Sequence, residues 1–333
     1  MKRIGIVSFA HMHAHSYAAA IARNHEAQLA TIWDEDETRG REAANQYGGT
    51  YYRSLKDMLL SAQLEAVIVC SENARHYEHV MAAARAGLHV LCEKPIATDI
   101  RHAEEMVRYC AERGIVLSVA YPVRHAYTIR KLKEMIEAGA FGDIVAIHGI
   151  NRGKKPGGWF IDAKLSGGGA AIDHIVHLAD IYRYLLDAEA KRVYAELDTA
   201  FGDTEVEDCG IVMIEFENGV LATIDPSWSR PDAFPTWGDF TLEIVGTRLS
   251  ATLDVMKQSS VLYGSGAVEW KLWLDDVDRA MIDAFIGCLS QGAVPLPTAD
   301  GHAGLQSLKI VKAAYRSNAE SRYCEMEAGA RHG

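Results

Sequence analysis

The chain has no long apolar run. Nothing in its 333 residues approaches the ~18 apolar positions of a membrane span, and MKRIGIV passes straight into a strand pattern without a small-residue cleavage site. A membrane segment is not expected, and the expected compartment is the cytoplasm. Cysteine is sparse: the six, at 70, 92, 110, 209, 288 and 324, form no C-x-x-C pair, so a zinc cluster or redox motif is not expected and the thiols should be reduced and mostly buried. Positive charge is also short, with 34 Lys and Arg against 45 Asp and Glu, a net charge of -11. Such a surface repels phosphate backbones and anionic lipid, which argues against nucleic-acid and membrane partners. The last shortage is local. In SFAHMHAHSY, residues 8 to 17, the three glycine slots of a G-x-G-x-x-G dinucleotide loop hold Ser8, Ala10 and His13.

With 49% hydrophobic residues the chain can bury two cores, and its length predicts two domains. Up to residue 121, short apolar strands alternate with helical patterns: Ile4 to Val7, Leu29 to Trp33, Ala66 to Cys70, His89 to Cys92 and Val116 to Ala120 read as strands, Tyr77 to Ala86 and Ile100 to Arg113 as helices. Gly87 and Gly114 stand where helix C-caps belong. This is an α/β pattern, a doubly wound parallel sheet of the Rossmann type over 1–121, with ligand sites at the carboxyl ends of the strands. Over 122–333 an α+β domain with a mainly antiparallel open sheet is expected, from Ile211 to Phe216 and Val220 to Ile224 joined through Asn218-Gly219, then Phe240 to Val245 and Leu249 to Leu253. Helical patterns over Arg279 to Leu289 and Gly301 to Arg316 close the chain. No linker separates the halves, which predicts tightly packed domains with a cleft between them.

Three groups of residues could carry chemistry. Cys92-Glu93-Lys94-Pro95 puts a charged pair at a strand end, and proline stiffens the turn; alone, it also reads as a solvated ion pair. Gly167-Gly168-Gly169 opens a helix on which Asp173 and His177 lie four apart, hence on one face, where a carboxylate can orient an imidazole that acts as acid or base. The glycines allow close backbone approach, as expected at a ligand, although Asp173 and His177 could simply face solvent. Asp34 lies 21 residues beyond His13 (34 − 13), near the spacing of a ribose-binding acid, and with Glu35 and Asp36 it favours NAD over NADP; a helix cap is the other reading.

In order along the chain, Glu93-Lys94-Pro95 and the GGG-x-x-x-D-x-x-x-H run at 167 to 177 resemble the glucose-fructose oxidoreductase / inositol dehydrogenase / MocA family, as do Ser71-Glu72-Asn73-Ala74-Arg75-His76, Phe216-Glu217-Asn218-Gly219 and Glu243-Ile244-Val245-Gly246. The resemblance implies an NAD-dependent dehydrogenase for a secondary hydroxyl of a sugar, polyol or inositol-like substrate. It implies His177 as acid/base, with Lys94 and Asp173 binding and polarising the hydroxyl. For the cofactor it implies Glu93, Asn73 and His76, with Ser71 and the loop Ser8, Phe9, Ala10, His11, Met12 and His13. Arg124 would line the substrate side, together with His125, Asn151, Trp159 and His174; Trp159-Phe160 reads equally as core packing. The open sheet implies a homodimer or homotetramer.

The glycine-poor loop keeps two rivals in view. Serine and alanine lack glycine's access to positive φ, so a non-catalytic cofactor- or sugar-binding regulator is one. A metal-dependent enzyme using His11, His13 and His15 is the other, although alternate residues diverge once the segment is helical. No metal is expected.

Overall fold

A computed structural model describes residues 1–61, 63–257, 259–263, 268–272 and 275–326. The chain divides into two compact units: Met1–His125 with Lys164–Gly167 and Val277–Leu308, and Ala126–Ala163 with Gly168–Asp276 and Lys309–Gly333.

In the first unit, strands β1 (Lys2–Val7), β2 (Ala27–Trp33), β3 (Thr50–Tyr52), β4 (Ala66–Val69), β5 (His89–Cys92) and β6 (Leu117–Val119) alternate with helices α1 (His13–Arg23), α2 (Glu37–Tyr47), α3 (Leu55–Ser61), α4 (His76–Arg85) and α5 (Ile100–Glu112). All neighbouring strands run parallel in the order β6-β5-β4-β1-β2-β3. Strand order reverses between β1 and β4, and the loops after those strands form the position where doubly wound sheets bind ligands. β4 is buried at every residue, as its apolar run requires. Gly87 and Gly114 take φ of +79° and +64° at helix ends, matching their C-cap reading. β3 is absent from the sequence reading because three residues carry no period.

The second unit contains α6 (Tyr127–Glu137), β7 (Ile144–Gly153), α7 (Ala163–Ser166, which ends in the first unit), α8 (Val176–Leu186), β8 (Ala190–Asp198), β9 (Cys209–Phe216), β10 (Leu221–Asp225), β11 (Gly238–Gly246) and β12 (Ser250–Asp254). A pair, β13 (Ser259–Tyr263) and β14 (Val268–Leu272), stands apart as an antiparallel hairpin. α9 (Val277–Gln291) and β15 (Ala299–Asp300) belong to the first unit, where β15 adds antiparallel to β6. α10 (Gly301–Glu320) and β16 (Cys324–Glu325) end the described chain. The second sheet runs β12-β11-β7-β10-β9-β8-β16, antiparallel except for β7 with β10. Alternation decides its faces: Val212, Ile214 and Phe216 of β9 are buried, while the alternate Ile211 and Met213 are exposed.

The core of the first unit joins Ile4, Ile6, Tyr17, Ile21, Ile32 and Ile68 to Ile282, Phe285 and Ile286 of α9, so the returning helix is part of the same hydrophobic cluster. The six cysteines are reduced, five of them buried. No described helix is long and apolar enough to cross a membrane.

Candidate active site

The loop after β1 adopts the glycine conformation without glycine. Ser8 takes φ +71°, which corrects the expectation that serine would withhold positive φ. Its hydroxyl offsets the strain: Ala10 N–H donates to Ser8 Oγ at 3.1 Å, and the hydroxyl reaches Asp34 Oδ2 at 3.4 Å. His11 N–H donates to the Cys70 carbonyl at 2.9 Å, tying the loop to the end of β4. Met12, half-exposed, caps α1 without a side-chain hydrogen bond. A helix N-terminus at a switch point is where a dinucleotide's pyrophosphate fits. Positive φ at Ser8 and the small side chain of Ala10 therefore suit the cofactor, whereas His13 fills the third slot.

Asp34 is 2% exposed and heavily engaged. Phe9 N–H donates to it at 2.6 Å, and the Arg39 guanidinium grips both oxygens, Nε at 2.8 Å and Nη2 at 2.6 Å. The helix cap is Asp36, which accepts from Thr38 and Arg39 N–H and so starts α2 with Arg39 in its first turn. Neither arginine nor cap was visible in the sequence reading. Their effect is to neutralise the acid on which NAD selection was argued.

His11, His13 and His15 do not converge. Helix α1 begins at His13 and turns His15 away, to the Tyr47 hydroxyl at 3.1 Å. Glu93 takes its place: His13 Nδ1 lies 3.0 Å and His11 Nδ1 3.9 Å from Glu93 Oε1. These three could offer donors to a cation, but they already bond one another and their neighbours. Tyr17 donates to the same Glu93 oxygen at 2.5 Å, and His13 N–H donates to His11 Nδ1 at 3.2 Å. Burial favours a protonated Glu93, yet the imidazoles of His11 and His13 hold its carboxyl well below the usual range. Burial likewise opposes charge on His13, and Glu93 more than reverses this, raising its proton affinity.

Glu93 and Lys94 are 0% and 4% exposed, so they are not a solvated strand-end pair. The Lys94-Pro95 peptide is cis, and Lys94 N–H donates to Glu93 Oε2 at 2.9 Å. His76 braces this turn: Nδ1 lies 2.8 Å from the Pro95 carbonyl and Nε2 3.0 Å from that of Ser71. Burial lowers its proton affinity, and a neutral ring donates to only one of these two carbonyls. Ser71 Oγ pairs with His79 Nδ1 at 2.9 Å, and Asn73 Nδ2 donates to the Ser166 carbonyl at 2.8 Å. Arg124, buried in a short 3-10 turn with His125, donates to the Pro297 carbonyl at 3.4 Å.

In the second unit Asp173 does not sit on a regular α-helix. Ala171–Ile175 is a π turn that runs into α8 at Val176, so the assumed i, i+4 geometry of Asp173 and His177 is interrupted by the widened turn. The glycines ahead of it are explained by protein rather than ligand: a Cβ on Gly168, at φ +153°, would collide with the Tyr315 hydroxyl, and one on Gly169 with the Glu207 carbonyl. Glu207, missed in the sequence, accepts from Gly169 and Ala171 N–H at 2.8 and 3.1 Å and from the Tyr315 hydroxyl at 2.7 Å. Asp173 Oδ2 accepts from Trp228 Nε1 at 3.1 Å. No local signal marks Trp228, 55 residues downstream. Asn151 Nδ2 donates to the His174 carbonyl at 3.3 Å, and Trp159 stacks on Phe160 at 3.9 Å.

A parallel sheet with its order reversing at a positive-φ loop, followed by a mixed open sheet, defines a dinucleotide-dependent oxidoreductase architecture. Residues 2–121 match the oxidoreductase family, NAD-binding Rossmann fold, and residues 129–252 match the GFO/IDH/MocA C-terminal domain. The chain belongs to the GFO/IDH/MocA oxidoreductase family. It is 29% identical to the 1,5-anhydro-D-fructose reductase of Ensifer adhaerens, over 99% of this chain and 100% of that protein. Identity to the myo-inositol 2-dehydrogenase of Thermotoga maritima is 25%, over 98% of each. The fold matches that of GenD2 from gentamicin A biosynthesis, solved with NAD, at a TM-score of 0.89 and 24% identity, covering 98% of this chain and 97% of that one.

Proposed function

We propose that this oxidoreductase moves hydride between NAD and a secondary carbon of a sugar, polyol or inositol-like substrate, in the oxidising or the reducing direction. The observation that carries the reading is the burial of the Lys94 amine at the carboxyl end of β5, in a sheet whose order is that of a dinucleotide fold. Burying a lysine costs free energy unless its charge is paired or engaged, and a place at the carboxyl end of a strand puts it beside the ligand site of this fold. When bound, the nicotinamide supplies or accepts the hydride. Lys94 and Asp173 orient the hydroxyl and favour its polarised form, and His177 takes or returns its proton. Relatives named for anhydrofructose reduction and inositol oxidation support this substrate class.

NAD preference rests on Asp34, Glu35 and Asp36 at the end of β2, moderated by Arg39. A second copy of the chain is proposed to cover the open sheet face, where Ile211, Met213 and Leu221 are 51%, 41% and 55% exposed; a monomer in light scattering would refute that. The catalytic reading is tested by mixing purified protein with NAD and a sugar and polyol panel. Nicotinamide reduction that falls by about 10²-fold or more in Lys94→Ala and His177→Ala is expected. Tight NAD binding without turnover on any panel member would instead make it a regulator.

A further inference from the structure

The third glycine slot holds a side chain that can carry charge. His13 is the first residue of α1, at the loop where this fold places a dinucleotide's phosphates, and its side chain is 33% exposed. The ring is anchored on its inner side: Nδ1 makes a hydrogen bond of 3.0 Å with Glu93 Oε1. Glu93 has two further donors, the Tyr17 hydroxyl at 2.5 Å on the same oxygen and Lys94 N–H at 2.9 Å on the other. A carboxyl with donors on both oxygens is held as the carboxylate. A carboxylate only accepts, so the hydrogen of the contact sits on His13 Nδ1.

That fixes the tautomer. A neutral imidazole carries one hydrogen, and with it at Nδ1 the other nitrogen, Nε2, is left with a lone pair. The hydrogen bonds of this ring among the described residues, with Glu93 and at 3.5 Å with the Tyr17 hydroxyl, are both at Nδ1. A lone pair repels a phosphate oxygen, whereas an N–H donates to it. An anion at the start of α1 therefore favours a second proton on this ring.

The neighbours on every side bear on that proton. Burial opposes it, but Glu93, by charge and by hydrogen bond, and Asp278 of α9 outweigh burial and the opposing Lys94, so that His13 binds a proton more tightly than an imidazole of pKa 6.5. The Ser16 hydroxyl, in the first turn of α1, donates to Asp278 at 2.6 Å and ties α9 to this end of the helix. His11 faces the ring with centroids 4.3 Å apart, and its Nδ1 accepts from His13 N–H at 3.2 Å. Burial pushes the Tyr17 hydroxyl and the Cys70 thiol well above their usual ranges, so neither changes charge between about pH 6 and 9.

We propose that His13 is a titratable phosphate-binding residue: Glu93 holds its hydrogen at Nδ1, Nε2 takes up a second proton when the cofactor's diphosphate lies at the start of α1, and cofactor affinity falls as pH rises. This deepens the proposed function and rests on its cofactor, though not on turnover. Glycine in the third slot admits the phosphates by leaving room; His13 occupies the room and supplies a cation. Below the midpoint of the free protein the ring is charged with or without cofactor and affinity is highest. Above the midpoint of the complex it is neutral in both and affinity is lowest. The diphosphate of NAD keeps its charge over this range, so the slope belongs to the protein.

Calorimetric titration of the full chain with NAD, in chelator-treated buffers of different ionisation heat, tests this without turnover. Part of a proton is expected to be taken up per NAD bound near pH 7.5, and Kd should rise about tenfold from pH 6 to 9, the change that one pK unit of coupling gives. In His13→Gln uptake should vanish and Kd should vary by less than about twofold over that range. Binding without proton uptake, or uptake that persists in His13→Gln, overturns the proposal. Absence of NAD binding at any pH overturns the cofactor reading itself, and this proposal with it.

Nitrogen NMR of the histidine-labelled full chain decides the tautomer without cofactor. The His13 signals are those lost in His13→Gln; should that variant not fold, they are those that move most in Tyr17→Phe, which removes a donor from the shared Glu93 oxygen. At pH 9 the ring is expected to carry its hydrogen at Nδ1, with Nε2 titrating above 6.5. A neutral ring with its hydrogen at Nε2, or a midpoint at or below 6.5, overturns the proposal.

Discussion

Replacing Arg39 by alanine is expected to sharpen discrimination against NADP at modest cost in stability. The guanidinium grips both oxygens of Asp34 at 2.6 and 2.8 Å. Opposite charges with centres roughly 4 Å apart attract by about 4 kcal/mol at an effective dielectric of 20. The Arg39 side chain is 34% exposed, however, and solvent screening reduces the net value to about 1 kcal/mol. In the variant, Asp34 retains Phe9 N–H at 2.6 Å, Asp36 N–H at 2.9 Å and the Ser8 hydroxyl, so the fold survives. What changes is the field at the end of β2. A carboxylate no longer offset by a cation repels a 2′-phosphate, and the cation that could have paired with that phosphate is gone. At about 1.4 kcal/mol per tenfold, NADP affinity is expected to fall by about tenfold or more. NAD affinity should stay within about threefold, less than 1 kcal/mol. Fluorescence titration of parent and variant with both cofactors measures this. If NADP binds Arg39→Ala as well as it binds the parent, the guanidinium does not set cofactor choice and the electrostatic reasoning fails.

Other outcomes follow from single positions. Ser8→Ala keeps the positive φ but loses the hydroxyl's bonds to Ala10 and Asp34, so it should unfold at lower urea than Ser8→Gly, by about 1–2 kcal/mol; equal midpoints would refute the account of the loop. Gly168→Ala combines left-handed strain with a collision against Tyr315, and about 3 kcal/mol of lost stability is expected by thermal unfolding, against a result within 0.5 that would show the turn can relax. His79 is pushed down to about 3 by burial, helped by His76 and Arg75, and the largely exposed Glu78 carboxylate at 3.2 Å offsets little of this. Between that value and 6.5 the unfolded chain binds the proton that the folded chain refuses, so stability should fall as pH drops through this window, by about 2 kcal/mol at pH 5. His79→Phe should flatten that slope in urea titrations at pH 5 and 7; an unaltered slope assigns it to other groups.

Elements with a strong period were legible. β1, β2, β4, β5 and β6 fall on the apolar runs read from the sequence, and α9 and α10 on its last two helical patterns. What escaped is what depends on residues brought together by folding. Arg39 became visible only when Asp36 capped α2 and set it against Asp34. Trp228 reaches Asp173 across 55 residues, and Glu207 reaches the glycine turn across 38. A period fixes a face, not its partner. For the same reason Gly168 and Gly169 read as room for a ligand, whereas Tyr315 and Glu207 fill that room.

The loop after β1 shows what a glycine fingerprint encodes. The first slot demands a backbone conformation, and glycine is only its cheapest occupant. Ser8 meets the demand by spending its hydroxyl on Ala10 and Asp34, which couples the loop to the end of β2 through a side chain that glycine lacks. Asp34 in turn holds Phe9 and Arg39, so loop shape and cofactor discrimination share one buried carboxylate. It follows that Asp34→Ala should disturb more than cofactor choice. Without the carboxylate the Phe9 N–H and the Arg39 guanidinium lose their common acceptor, and affinity for NAD and NADP should fall together. Arg39→Ala, by contrast, separates the two cofactors. Finding that both substitutions shift only the NAD to NADP ratio would show that the loop holds its shape independently of Asp34.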